Sequence, residues 1–269
     1  MKTVPVFTRE KASGRGTRFR QRVVQERRGL VVSGRTLFRR ALETQFSEMR
    51  RRAVEGQSSV PAALQSAQEV PVPSDAMREA LERFFVDAAV RFGPIGLEHL
   101  KGMARIPTLT KQEDTFRRRA QEYLDQIGAE KVTQISETTR RDLVTLLQQA
   151  IEDGEGIDRA ARRISNEIPN ITQSRATVIS RTEIIPASNQ AVDIGAREAG
   201  IPLDKEWITA IDGREREAHR AADGSIVDMD EPFTVMGERL RFPGDTSLGA
   251  TAPNVIQCRC AHAPIPKDR

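Results

Sequence analysis

Cysteine, histidine and aromatic residues are all scarce in this chain. Two Cys, three His, one Trp and one Tyr occur among 269 residues, and aromatics make up 4 %. The core must therefore be thin and mostly aliphatic, with little ring surface for stacking on nucleotides. No run of about 18 apolar residues exists, which excludes a membrane-spanning helix of ordinary length. Met1 to Glu10 lacks the apolar stretch and small-residue cleavage site of a signal peptide, so an intracellular origin is expected. In that compartment two cysteines are reduced or metal-bound rather than joined in a disulfide. Also missing are H-E-x-x-H, G-x-S-x-G, the phosphate-binding Gly loop ending in Lys-Ser/Thr, and G-x-G-x-x-G. The sequence thus lacks the usual signatures of a metalloprotease, an α/β-hydrolase or a nucleotide-binding enzyme. A non-enzymatic role without a small-molecule substrate is expected.

What is present is charge, unevenly spread. The first 52 residues hold 15 Lys/Arg against four acids, a balance of +11, which leaves −7 for the rest of a chain whose net charge is +4. A basic arm on an acidic body points to a polyanion or an acidic protein surface. Arg dominates the arm, and its planar fork suits phosphate. Arg15, Arg18, Arg20, Arg22, Arg27 and Arg28 are the candidate DNA-contacting residues. The other reading is a solvated tail. Any nucleic-acid contact would be to backbone phosphate and indifferent to sequence.

The pattern predicts an α+β protein: helical N-terminal and middle regions, then a small α+β C-terminal domain with short antiparallel strands. Residues 1–55 read as a basic arm, flexible to about residue 29, followed by a helix from Ser33. Residues 56–73 read as a linker, because Pro71 and Pro73 oppose a helix. Residues 74–153 read as a helical region interrupted at Gly93-Pro94 and Gly128, with a capping box at Thr110 and Glu113. Residues 154–269 open with helices over 157–168, 172–183 and from Pro186. A half-buried strand then follows, on which Trp207, Thr209 and Ile211 alternate. Turn residues come next at Asp212-Gly213, Asp223-Gly224 and Pro243-Gly244-Asp245, with short β-like stretches between them.

Four of the five His and Cys residues fall in the last 51 positions: His219, Cys258, Cys260 and His262. If the segment is extended, Cys258, Cys260 and His262 project from one face, because strand side chains alternate. With His219 they would form a Cys₂His₂ set of the kind tetrahedral Zn²⁺ takes. Metal would also compensate for a thin core. The alternative is two small buried thiols and a hydrogen-bonded histidine. A third arrangement, Asp212, His219, Asp223, Asp228 and Asp230, could make a metal nuclease site, although acids in turns usually form the turn.

The same stretch carries a resemblance. Ser174 to Glu183, reading S-R-A-T-V-I-S-R-T-E, resembles the R-A…I-A-R-T-E segment of the phage head morphogenesis family, whose best-known members are the phage Mu F-like minor head proteins. In family order follow Asn189, Gly200, Lys205-Glu206-Trp207, Asp212 with Arg214, His219, Asp223 with Gly224, Phe233, Pro243-Gly244-Asp245 and Cys258-Arg259-Cys260. The family usually has Asn before the C-R-C, where this chain has Gln257. The resemblance spans about residues 140–269. It implies a minor capsid protein in the procapsid interior and virion head, made in the host cytoplasm. The implied partners are the portal protein, the major capsid protein and double-stranded DNA, with no membrane. The implied role is in DNA packaging or ejection. The alternative is a metal-dependent nuclease or toxin-like effector, because this domain is sometimes joined to toxin modules. Within the motif, Arg181 and Glu183 are expected either to pair or to stand as independent solvated charges. Trp207 should anchor the small core, Asp212 and Arg214 should organise the turn before His219, and Arg259 should face away from the cysteines.

Overall fold

The computed structural model describes residues 9–104, 106, 112–210 and 213–267, with side chains from residue 17 onward. It is α+β, as the pattern indicates. Five helices come first: α1 (Arg9–Ala53), α2 (Val60–Glu69), α3 (Asp75–Lys101), α4 (Gln112–Glu152) and α5 (Ile157–Arg197). Short strands follow, namely β1 (Leu203–Ile208), β2 (Ile226–Asp228), β3 (Phe233–Val235), β4 (Glu238–Leu240) and β5 (Ala261–Pro266), with short helices α6 (Glu217–Ala221) and α7 (Ala252–Val255) between them. The chain forms two compact units. One comprises Val32–Phe84 and Leu124–Ser180; the other comprises the N-terminal residues through Val31, Phe85–Tyr123 and the chain from Arg181 onward.

The helices are longer and fewer than the punctuation in the sequence implies. A single helix begins at Arg9, so residues 9–29 are not a flexible arm. Its buried positions run Phe19, Val23, Arg27, Leu30, Gly34, Phe38, Leu42, Phe46, Met49 and Ala53, at steps of three and four. That is one continuous helical stripe. It is hard to read from sequence because Arg and Gly hold two of its places. The expected linker contains α2. The Ser59 hydroxyl accepts from the Ala62 amide (3.4 Å), Pro61 sits in the first turn, and Val60, Ala63 and Ala67 are buried. Ser59 satisfies a free amide and Pro61 lacks one, so both favour a helix start. Gly128 lies within α4, and Pro169 and Pro186 lie within α5.

In the helical unit the rings of Phe38 and Phe84 pack on each other (centroids 5.1 Å), and a largely aliphatic cluster gathers around Phe46. Phe46, Met49, Ala63, Ala67, Leu143, Leu147, Ala150, Ala160 and Ile164 are buried together. Each large side chain removed from water contributes about 1.5–3 kcal/mol. One buried polar string crosses it. Gln45 donates to Ser136 (2.7 Å) and accepts from Thr139 (3.1 Å). Arg175 donates to Thr139, Asp142 and the Ile135 carbonyl, with its guanidinium 5.8 Å from the Phe46 ring centroid.

In the α+β unit, α3 and α5 meet at glycine. A Cβ on Gly195 would lie 1.9 Å from the Gly93 carbonyl oxygen, and one on Gly96 would lie 2.5 Å from that of Val192. The Gly93-Pro94 pair therefore serves a close helix crossing and does not end α3, which continues to Lys101. Leu97, Leu100, Ala196, Ala199, Leu203 and Met229 close the adjoining core. The sheet is antiparallel in the order β2-β1-β5, and β3 pairs β4 in a separate hairpin. Met236 (φ 55°) and Gly237 (φ 75°) make its two-residue turn, the left-handed pair that suits strand twist.

Candidate functional site

The site grows from one residue on α5. The Asn189 side chain accepts from the Arg27 guanidinium (3.0 Å) and from the His262 amide (3.3 Å). Its amide group donates to the carbonyls of Pro243 (2.8 Å) and Cys260 (3.2 Å). One buried amide thus ties α1, the Pro243–Asp245 turn and the start of β5. Arg27 also donates to Ser188 (2.8 Å) and to the carbonyls of Arg259 (3.2 Å) and Cys260 (3.1 Å). Burial pulls the Arg27 guanidinium down to about 10, against the nearby sulfurs of Cys258 and Cys260, so it stays charged at neutral pH. Arg27 was expected to contact phosphate. Its guanidinium is instead spent on the protein's own backbone, and only 6 % of the residue is exposed.

Asp245 organises the neighbouring loop. Its carboxylate accepts from the Arg241 and Ser247 amides (3.0 Å each), the Ser247 hydroxyl (3.0 Å) and the Tyr123 hydroxyl (3.3 Å). Burial first, then the Asp245 charge, pushes Tyr123 well above the ordinary phenol value. Lys205 on β1 is buried as well. It donates to the carbonyls of Met229 (3.0 Å) and Arg241 (2.7 Å) beneath the Phe233 ring, and burial pulls it down. Sequence reading missed Asn254 and the internal roles of Lys205 and Arg27, since nothing local marks a polar residue as buried.

Cys258 and Cys260 lie just before β5, in the loop after α7, not on the strand itself. Gln257 takes φ 53° to make that turn. Asn tolerates this left-handed conformation better than Gln, which accounts for the Asn usual at this place in the family. His219 on α6 reaches both sulfurs through Nδ1, 3.6 Å from Cys258 and 3.5 Å from Cys260. Its Nε2 faces the Asn254 oxygen at 2.8 Å. The Cys260 amide donates to the Cys258 sulfur (3.4 Å). A hydrogen bond from Cys260 holds the Cys258 thiol well below its ordinary value, and the same bond together with burial pushes the Cys260 thiol up. Trp207 is fully buried and stands edge-on to His219 (ring centroids 5.6 Å, 89°) and to Phe233 (5.2 Å, 80°).

Among the described residues, the group able to hold a metal is His219, Cys258 and Cys260. His262 is not part of it. Its backbone enters β5, and its buried ring stacks on Phe242 (6.0 Å, 21°). The fourth ligand of the expected Cys₂His₂ set is thereby removed, because Cys258 and Cys260 precede the strand and the alternation argument does not reach them. Arg181 is exposed and Glu183 buried, as befits helix positions two apart, which do not face each other. Asp223 caps the Thr209 amide (2.6 Å), Gly224 turns at φ 77°, and Arg214 is exposed. Asp228 pairs with Lys267, and Asp230 with Arg197 (2.7 Å). Those acids therefore do not gather with His219, and Asp212 lies outside the described residues. Of the N-terminal cations, Arg18 and Arg28 are exposed, Arg20 is half-buried and Arg22 pairs with Glu98 (2.5 Å). The side chain of Arg15 also lies outside the described residues, as does Thr110 of the expected capping box.

The C-terminal region is thus a set of helices leading into a small antiparallel sheet, closed by a Cys-x-Cys loop over a buried histidine. Residues 141–263 match the family described as Phage Mu protein F like protein, which bears out the resemblance. The chain is 29 % identical over 128 residues to Minor head protein GP7 of Bacillus phage SPP1, covering 45 % of this chain and 39 % of that one. It is 32 % identical over 111 residues to the NAD(+)--arginine ADP-ribosyltransferase EFV of Enterococcus faecalis (40 % of this chain, 22 % of that one). It is 25 % identical over 142 residues to the uncharacterized protein YqbB of Bacillus subtilis (51 % and 46 %). The chain thus spans less than half the length of each of these relatives. No solved structure matches it.

Proposed function

We propose that this chain is a minor head protein of a tailed phage, a structural component of the procapsid interior and virion head and not an enzyme. The observation that carries this reading is the family match over residues 141–263. The family's motif residues here turn inward. Asn189, Trp207, Asp245 and Cys260 are buried and bond or pack within the protein. Such a pattern maintains a scaffold. The partners are the portal protein, the major capsid protein and double-stranded DNA, with a role in packaging or ejection. Among the expected contacts, exposed Arg18 and Arg28, with Arg22, supply phosphate contacts on α1. Among the described residues, no helix is long and apolar enough to cross a membrane.

Two experiments test this reading. Co-expression with the portal protein of the same phage should yield a complex that survives purification; separate elution would overturn the portal assignment. DNA binding should fall steeply with salt and ignore sequence. Charge reversal at Arg18, Arg22 and Arg28 should weaken it and flatten its salt dependence. Unchanged binding would remove α1 from the DNA contact. The effector reading rests on the name of the Enterococcus relative, of which this chain covers 22 %. Plasmid nicking with Mg²⁺, Mn²⁺ or Zn²⁺ that is lost in His219→Ala would favour a nuclease over the structural reading.

A further inference from the structure

We infer that the α+β unit binds one zinc ion through His219 Nδ1, Cys258 Sγ and Cys260 Sγ, and that this ion fixes the loop on which Arg27 docks α1. The three donor atoms lie within 4.8 Å of one another, and all three residues are buried. His219 Nδ1 is 3.6 Å and 3.5 Å from the two sulfurs. A tetrahedral ion with Zn–S near 2.3 Å and Zn–N near 2.0–2.1 Å sets sulfur and nitrogen about 3.6 Å apart. Hydrogen bonding does not account for the arrangement equally well. A neutral imidazole nitrogen offers one lone pair, yet two sulfurs stand at the same range from it.

The imidazole is set for coordination. The Asn254 amide group donates to the Val235 carbonyl (2.9 Å) and to Glu238 (2.9 Å), so its oxygen must face His219 Nε2. Nε2 then carries the proton, and Nδ1 points bare at the sulfurs. Metal-ligating histidines are held in this way by a hydrogen bond from the ring nitrogen opposite the ligating one. Two thiolates with one imidazole select a soft or borderline ion, and zinc is the ordinary choice. Two thiolates also neutralise the dication, so the site buries no net charge beside Arg27. Among the described residues no fourth side chain joins the set. The consequence for α1 follows from connectivity. The carbonyls of Arg259 and Cys260, which receive Arg27, belong to the loop the ion would hold.

The test uses the purified full chain, so its failure would leave the head assignment standing. Elemental analysis should find about one zinc per chain. Replacement by Co²⁺ should give the visible bands of a tetrahedral site and the near-ultraviolet charge transfer of two thiolates. Cys260→Ser and His219→Gln should lose the ion, and His262→Phe should keep it. A chelator should speed tryptic cleavage within residues 18–28. Less than about a tenth of a zinc per chain, or cobalt bound without thiolate bands in the unmutated protein, would overturn the proposal.

Discussion

In the helical unit, Phe46, Leu143, Leu147 and Ile164 turn apolar side chains toward one another, and a single polar string through Gln45, Thr139 and Arg175 crosses them. In the α+β unit, the buried residues include the polar side chains of Asn189, Arg27, Lys205, His219, Asp245 and Asn254. The difference lies in how each geometry is specified. Apolar burial is non-directional, so a helical core tolerates changes that keep its volume. A buried polar network fixes angles as well as distances, and it fails as a whole when one member is left unpaired. The family motif concentrates in the second kind of core, which is why its residues are polar and yet hidden.

The sharpest way to break this contrast is Asn189→Ala. It takes one partner from the Arg27 guanidinium and the bonds made to the buried Pro243 carbonyl and His262 amide, and should cost about 3–5 kcal/mol, read from urea unfolding. A cost under about 1 kcal/mol would mean that the network is incidental. In the helical unit, Leu147→Ala should cost about 3 kcal/mol by cavity formation. Leu147→Met should recover most of that, because volume is what matters there. No conservative exchange at Asn189 should recover its loss, and that asymmetry in rescue is the measurable form of the comparison.

A smaller effect comes from alkaline pH. Burial and the Asp245 carboxylate raise Tyr123, so the folded protein holds its phenol proton more tightly than the unfolded chain does. The stability this provides is complete below the unfolded value near 10. It declines above that pH, by up to about 1.4 kcal/mol per pH unit. Tyr123→Phe should lack this decline between pH 9.5 and 11, measured as the shift of the urea midpoint. The smallest effect should be a gain. Gln257→Gly relieves a left-handed Gln and should stabilise the protein by about 0.5–1 kcal/mol, seen as a higher thermal midpoint.

Local chemistry made the C-terminal half legible. Positive-φ glycines stand at the expected turns, Gly213, Gly224 and Gly244. Trp207 is buried, and the cysteines converge on His219 because so few such residues were available to pair. The helices were misjudged for the opposite reason, since their breaks in pattern are tertiary contacts. Gly93 looks like a helix stop but is the place where α3 touches Gly195 of α5. Arg27 looks like part of a basic arm, yet it fills a core position of α1. Its partners lie more than 160 residues away, and no local window reveals them. His262 fell on the wrong side of the site because the strand begins at Ala261, one residue after the second cysteine.

The most direct measurement is the protein content of purified particles. Quantitative mass spectrometry of procapsids and DNA-filled heads should find this chain in procapsids, at a few copies beside the major capsid protein. Its consistent absence from procapsids of the phage that encodes it would contradict the account.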